Sequence, residues 1–284
     1  MRLPVLLTLT LLLGSARLLQ AETAASSARA DVRSASYQQF TKYDEEAEQR
    51  LLQLTNQERA RVGAVALKPD PEMTLAARQH AAAMAAKGEL SHQFAGEAPL
   101  QDRLANSSLH LDKAGENVAL DVDIDQAHDG LMHSPHHREN LLRGDYNVAG
   151  FAVARVGDRL YVVEDFGHQM PTFESEKAED MVSAAILQTR GSAIHGRFKR
   201  LEVTSLRNAA CAMATRDKLD PKAIRGLGPL RYALTYTSMQ PGQLAPTAKQ
   251  AIADPDLQSY AVGTCFAHTP TYPNGAYWVT VALY

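Results

Sequence analysis

The order of hydrophobic periodicities constrains this chain most, because it runs from helix to strand twice over. From Tyr43 onward Ala47, Leu51, Leu54 and Glu58 recur at helical spacing, and the run stops near Gly63. A second helix is expected from Pro71, with Met73, Ala76, Ala77, His80, Ala81 and Met84 on one face and Gly88 as its end. Short helices are expected over Pro99 to Leu104 and Asp125 to His133. Ser134 reads as an N-cap and Pro135 as the first position of a helix through His136 to Leu142. Two strand-like runs follow, Val148 to Ala154 and Leu160 to Asp165, joined by a Val156-Gly157-Asp158 turn signal. Helices followed by strands imply an α+β unit with helices stacked on an antiparallel sheet.

The second half has the same order. Ala178-Glu179 opens a helix as Ala47-Glu48 does, and Leu206 to Ala214 echoes Leu75 to Ala85. Tyr260 to Ala267 echoes Asn147 to Ala154, with Gly263 matching Gly150. Asn274-Gly275 marks a turn before a closing strand at Ala276 to Leu283. The expectation is a first domain over residues 44–170 and a second, smaller α+β unit over 174–284, a degenerate repeat of the first. The alternative is two unrelated units whose Ala-rich helices look alike by composition. Cys211 and Cys265 are the two cysteines of the chain, and in the repeat alignment one lies on a helix and the other on a strand. An oxidising compartment would pair them, pinning helix to sheet and closing a loop worth at most about 4 kcal/mol in chain entropy. Two buried free thiols are the alternative.

The N-terminus supplies that compartment. Arg2 precedes an apolar run from Leu3 to Leu13, followed by the small residues Gly14-Ser15-Ala16. This is the pattern of an export signal, expected over residues 1–21 and cut after Ala16 or Ala21. The run falls short of the ~20 apolar residues of a transmembrane helix, and no Cys follows it for lipid attachment. Residues 22–43 read as a flexible leader rich in Ala and Ser. The protein is thus expected to be secreted or periplasmic, without stable membrane insertion once the signal is removed. Its formal net charge of -3, with no basic run, argues against a nucleic-acid partner.

Candidate chemistry lies between Ser91 and Asn140. His128, His133, His136 and His137 crowd one segment, and His133 and His137 have the i, i+4 spacing of a helical metal pair. Ser134-Pro135 interrupts the helix between them, so a preformed pair is not expected there. Asp121, Asp123 and Asp125 resemble the start of a calcium loop, but Gln126 and Met132 stand where Gly and Glu are required, and the segment reads as a solvated acidic loop. Ser91 beside His92 has no nucleophile elbow around it. His80 on its apolar face reads as a core residue, and His110, His168, His195 and His268 fit no motif.

Spread-out segments carry more information. In order they are Leu54-Thr55-Asn56-Gln57-Glu58-Arg59, the Ala76 to Met84 helix, Ser91-His92 and Pro99-Leu100-Gln101-Asp102-Arg103. Then come Gly115-Glu116-Asn117-Val118-Ala119, Ser134-Pro135-His136-His137-Arg138-Glu139-Asn140-Leu141-Leu142, and Gly150 entering the strand pair. Residues from about Asp44 to Phe166 thereby resemble the CAP superfamily of cysteine-rich secretory, antigen 5 and pathogenesis-related proteins, in its short bacterial secreted form. The resemblance implies a three-layer α-β-α sandwich whose cleft holds two His and two Glu. By position His92, Glu116 and His137 match three of these, with Asn117 and Ser134 beside them. Near Ser134, where the second Glu is expected, no acid is found, and Leu131 replaces the Trp that often opens that helix.

Three functions compete. The first is a non-catalytic extracytoplasmic binding module whose His/Glu cleft takes a small molecule, lipid, envelope component, peptide or metal ion. The second is a Zn-dependent hydrolase with the metal on His92 and His137 and Glu116 as ligand or base. The third is an interaction scaffold acting through residues 174–284. The resemblance fixes no single activity, and a His/Glu cluster without a ligand motif on one helix favours the first.

Overall fold

The computed structural model describes residues 42–284 apart from 106, 192–197 and 227. The expected signal, nearly all of the expected leader and His195 lie outside the described residues. Lys42–Tyr43, at the end of that leader, form strand β1.

The first unit is a three-layer α-β-α sandwich. Its sheet contains β1, β2 (Lys68–Pro69), β3 (Leu111–Asp121), β4 (Val148–Val156) and β5 (Arg159–Gln169). The order is β1-β4-β5-β3, with β2 parallel to β4 along the same edge that β1 pairs, and β3 at the opposite edge. On one face Ala47 and Leu51 of α1 (Glu45–Arg61), Ala127 and Leu131 of α4 (Ile124–His133) and Leu141 of α5 (Pro135–Leu142) pack on Phe151, Val153, Val162 and Phe166. On the other, Ala77, Ala81 and Met84 of α2 (Pro71–Lys87) pack on Val118, Ala152, Tyr161 and Val163. Helix α3 (Leu100–Leu104) closes that side with Leu104 buried.

Local chemistry sets the boundaries. The Asp44 carboxylate accepts from the Ala47 amide at the start of α1, and Asp70 accepts from Met73 N before α2. Gly88 ends α2 at φ 67°, the left-handed region that a residue with Cβ resists. Asp123 caps α4 through Gln126 N, and Asp125 pairs with Arg50, so the acidic loop is used up in capping and a surface ion pair. Gly150 lets β4 approach α2 so closely that a Cβ would fall within the backbone of Met73 and Thr74.

The second unit repeats this arrangement. Its helices are α6 (Ser175–Arg190), α7 (Thr204–Thr215), α8 (Lys222–Arg225) and α9 (Pro246–Ile252). Its strands are β6 (Lys199–Arg200), β7 (Tyr232–Ser238), β8 (Ser259–Ala267) and β9 (Ala276–Leu283). The order β6-β8-β9-β7, with β6 parallel to β8 and the other pairs antiparallel, reproduces β2-β4-β5-β3. Helices α6 and α9 cover one face; Leu206, Ala210 and Met213 of α7 cover the other. Arg59 donates to the carbonyls of Leu141, Arg143 and Tyr146, and Arg190 donates to those of Ile252, Asp254 and Leu257, at identical spacing. Glu48 holds Arg78 and the Val153 amide; Glu179 holds Arg207 and the Thr264 amide. Cys211 of α7 and Cys265 of β8 form a disulfide.

Gly150→Ala is expected to destabilise the chain by about 3 kcal/mol, because the clash is with backbone that cannot rotate away. Gly144→Ala, whose Cβ would meet nothing within 4 Å, is expected to leave the thermal midpoint nearly unchanged. Equal melting of the two variants would contradict the close-approach account.

Candidate functional site

Two successive residues of edge strand β3 organise the site from opposite faces of the sheet. Side chains alternate along a strand, so Glu116 faces α2 and α3 while Asn117 faces α1 and α5. In register, Glu116 stands opposite Asp165 and Asn117 opposite Glu164 on β5. Each face therefore carries an acid pair or acid–amide pair in the interior, where an unpaired charge is costly.

On the α2 face Glu116 is almost fully enclosed and both of its oxygens are engaged. Oε1 lies 2.9 Å from His92 Nδ1, and Oε2 accepts from the Arg103 guanidinium. Arg103 itself is 8% exposed at its side chain and also lies 3.6 Å from Glu97. His80 Nδ1 is 2.6 Å from Glu97 Oε1 and its Nε2 is 2.8 Å from the Ser91 carbonyl. Both of its nitrogens are thereby engaged. The Asp165 carboxyl beneath has no hydrogen-bond partner among the described residues. Burial first, and the negative Glu116 beside it second, hold its pKa well above the usual carboxylate range.

On the α5 face the Asn117 amide donates to the His137 carbonyl at 3.1 Å and to Glu164 Oε2 at 3.0 Å. Asn140 donates to Asn117 Oδ1 and to the backbone carbonyl of Glu116. Thr55 completes the Glu164 environment from α1 at 3.5 Å. Burial pushes the Glu164 carboxyl up to about 8 despite these two bonds. His137 is half-buried; burial lowers its pKa, and the neighbouring His92 and His136 add to the shift.

The structure thus brings His92, Glu116, Asn117 and His137 to one sheet edge. Ser134 stands at the start of α5 but makes no side-chain cap bond and none to this network. The Ser91 hydroxyl donates to the Gln93 carbonyl at 2.8 Å, a local turn that leaves His92 without a serine partner. His80 is buried, as expected of a core residue, yet it is bonded at both nitrogens. Glu97, Arg103, Glu164 and Asp165 were missed because they carry no local pattern. The Pro99 to Arg103 segment was the available signal for Arg103. An open groove of about 490 Å³ beside Met132, Pro135 and Leu142 contains none of the four.

The hydrogen bonds also fix what His92 can do. Nδ1 facing a carboxylate donates, which turns Nε2 outward on a ring 60% exposed. Among the described residues no group of three His, Cys, Asp or Glu side chains stands ready for a metal ion. In this arrangement Zn²⁺ on Glu116 would share its oxygens with Arg103 and His92.

Glu164→Gln is expected to change the pH dependence of stability. A carboxyl whose folded pKa is raised stabilises fully below its ordinary value of 4.5, and that contribution is lost as the pH rises to about 8. Chemical denaturation at intervals across this window should show the wild type losing stability relative to the variant as the pH rises. Parallel curves would show that Glu164 is not buried as an acid.

Comparisons with known proteins agree with this geometry. Residues 52–166 match the family model of the cysteine-rich secretory protein family, CAP. YlbC of Bacillus subtilis (strain 168), an uncharacterized membrane protein, is 32% identical over 132 residues, 46% of this chain and 37% of that protein. The chain therefore spans little more than a third of that relative's length. An extracellular protein containing an SCP domain from Bacillus anthracis str. Ames is 27% identical, over 44% of this chain and 41% of that one, with a TM-score of 0.41. A cysteine-rich secretory protein from Staphylococcus aureus subsp. aureus Mu50 is 22% identical, over 44% and 40% of the two chains, with a TM-score of 0.37. With the ordered motifs and the α-β-α layers, the family match identifies residues 52–166 as a CAP domain.

Proposed function

We propose that this protein is an exported, non-catalytic binding module that uses the β3 edge of its CAP domain, with His92 and His137 as the recognition groups. The observation that carries this reading is the saturation of Glu116. A carboxylate bonded to Arg103 and His92 is poorly placed to act as a general base or a metal ligand. What it does is orient an imidazole toward solvent beside a second one. Such a pair suits a small polar or anionic group on a small molecule, lipid, peptide or envelope fragment, or a metal ion recruited together with its ligand. The hydrolase reading loses its base in this arrangement.

Export rests on the N-terminal signal pattern, and among the described residues no helix is long and apolar enough to cross a membrane. The second unit is read as a diverged copy of the first. It keeps the Arg190 and Glu179 clamps, while β7 and β9 carry no acid at all. The frame survives there and the site does not, which leaves that unit a structural or partner-binding role.

Titration calorimetry against a panel of lipids, cell-wall fragments and Zn²⁺ tests the reading. Wild-type protein is expected to bind at least one class, and His92→Ala with His137→Ala is expected to weaken that binding by about tenfold or more, ~1.4 kcal/mol. Metal content measured on both proteins separates a metal-mediated from a direct contact. Wild type that binds nothing, or a double variant that binds equally well, would contradict the proposal.

A further inference from the structure

The two units meet where the end of the first sheet touches the β8–β9 hairpin of the second. The Phe173 amide donates to Tyr277 Oη at 2.6 Å, and the Gln240 amide reaches the Met170 sulfur at 3.5 Å. His110, one residue before β3, is 1% exposed at this junction. Its ring stands edge-on to Phe266 at 4.9 Å between centroids and to Tyr277 at 6.0 Å. A histidine of the first unit is therefore enclosed by aromatic rings of the second.

The Pro171 carbonyl is the one acceptor near the ring, and the ring nitrogens meet no side-chain partner among the described residues. A neutral imidazole tolerates such a site as a flat, nearly apolar group, whereas an imidazolium would exchange its hydration for a single backbone carbonyl. The surrounding charges do not compensate. From β3, Asp112 favours a charge on His110, but its Oδ1 is engaged by His168 of β5 at 2.6 Å. From the hairpin, His268 opposes a charge, its own ring edge-on to Phe266 at 5.4 Å. The Pro171 carbonyl favours it; the Tyr277 phenol is held by the Phe173 amide, with Glu174 acting on Tyr277 rather than on His110. Burial outweighs all of these and lowers the proton affinity of His110.

We propose that His110 is an acid-sensitive latch between the CAP domain and the second unit: the neutral ring closes the junction and its protonation opens it. A closed state that binds fewer protons than an open one is fully favoured above the ordinary histidine value of 6.5 and weakens as the pH falls below it. Opening hydrates the ring and uncovers the parts of Phe266 and Tyr277 that His110 meets. The inference depends on the junction alone and is independent of what the β3 edge binds.

Hydrogen exchange of the full chain tests it, with the Phe173 amide as reporter because its bond to Tyr277 Oη fastens the link between the units beside the His110 ring. After correction for intrinsic exchange, its protection is expected to fall by about tenfold or more between roughly pH 7.5 and 5.5, equivalent to one unit of proton affinity, while α2 and β5 stay protected. His110→Phe keeps an enclosed ring that takes no proton, and it should retain protection at both values. His110→Gln removes the same titration in a smaller side chain and serves where the phenyl ring does not fit. Unchanged protection in the wild type, or equal acid loss in whichever variant folds, overturns the latch.

Discussion

A carboxylate buried at the edge of a sheet must be paired, and the pairing of Glu116 arranges much of the first unit around it. Arg103 arrives on a five-residue helix anchored by the buried Leu104, and His92 arrives from the loop after α2. His80 and Glu97 extend the network into the interior, tying that loop to the helix before it. The next residue, Asn117, does the same work on the opposite face by holding α5 through His137 and Asn140. One dipeptide of an edge strand thus fixes both helical layers and sets two imidazoles at the same rim.

The second unit separates this site from its frame. Both units share a strand order, an arginine that gathers three loop carbonyls, and a buried glutamate that clamps an arginine and a strand amide. The frame therefore does not require the acids of β3 and β5. In the second unit apolar and hydroxyl side chains occupy those strands, and the Cys211–Cys265 bond holds α7 to β8. A fold that stands without the buried acids retains them in the first unit at a cost in desolvation, and there Glu116 holds His92.

The layers were legible because their signals are local. Pro71 and Pro135, the Gly88 stop and the Gly157 turn each act within a few residues, and the structure places them as read. The repeat alignment put Cys211 on a helix and Cys265 on a strand of one unit, and the structure bonds them rather than leaving two free thiols. The site was half legible. His92, Glu116 and His137 stood out through ordered motifs, but the strand β3 that carries Glu116 was not read from the sequence. Glu164 and Asp165 sat inside a strand otherwise read as apolar. Thr55 meets Glu164 across 109 positions, and no periodicity announces such a partner. His80 was misleading for a related reason: an apolar helical face says that a side chain is buried, and not whether both its nitrogens are satisfied.

The central claim is that Glu116 holds His92 by Nδ1 and turns Nε2 outward. Nitrogen-15 NMR of the histidine rings in alkaline buffer, where they carry one proton each, measures this directly. The account expects the His92 proton on Nδ1 in the wild type and a shift toward the Nε2 form in Glu116→Gln, where the anionic acceptor is gone. A wild-type His92 with its proton on Nε2, or a tautomer unchanged by Glu116→Gln, would contradict it.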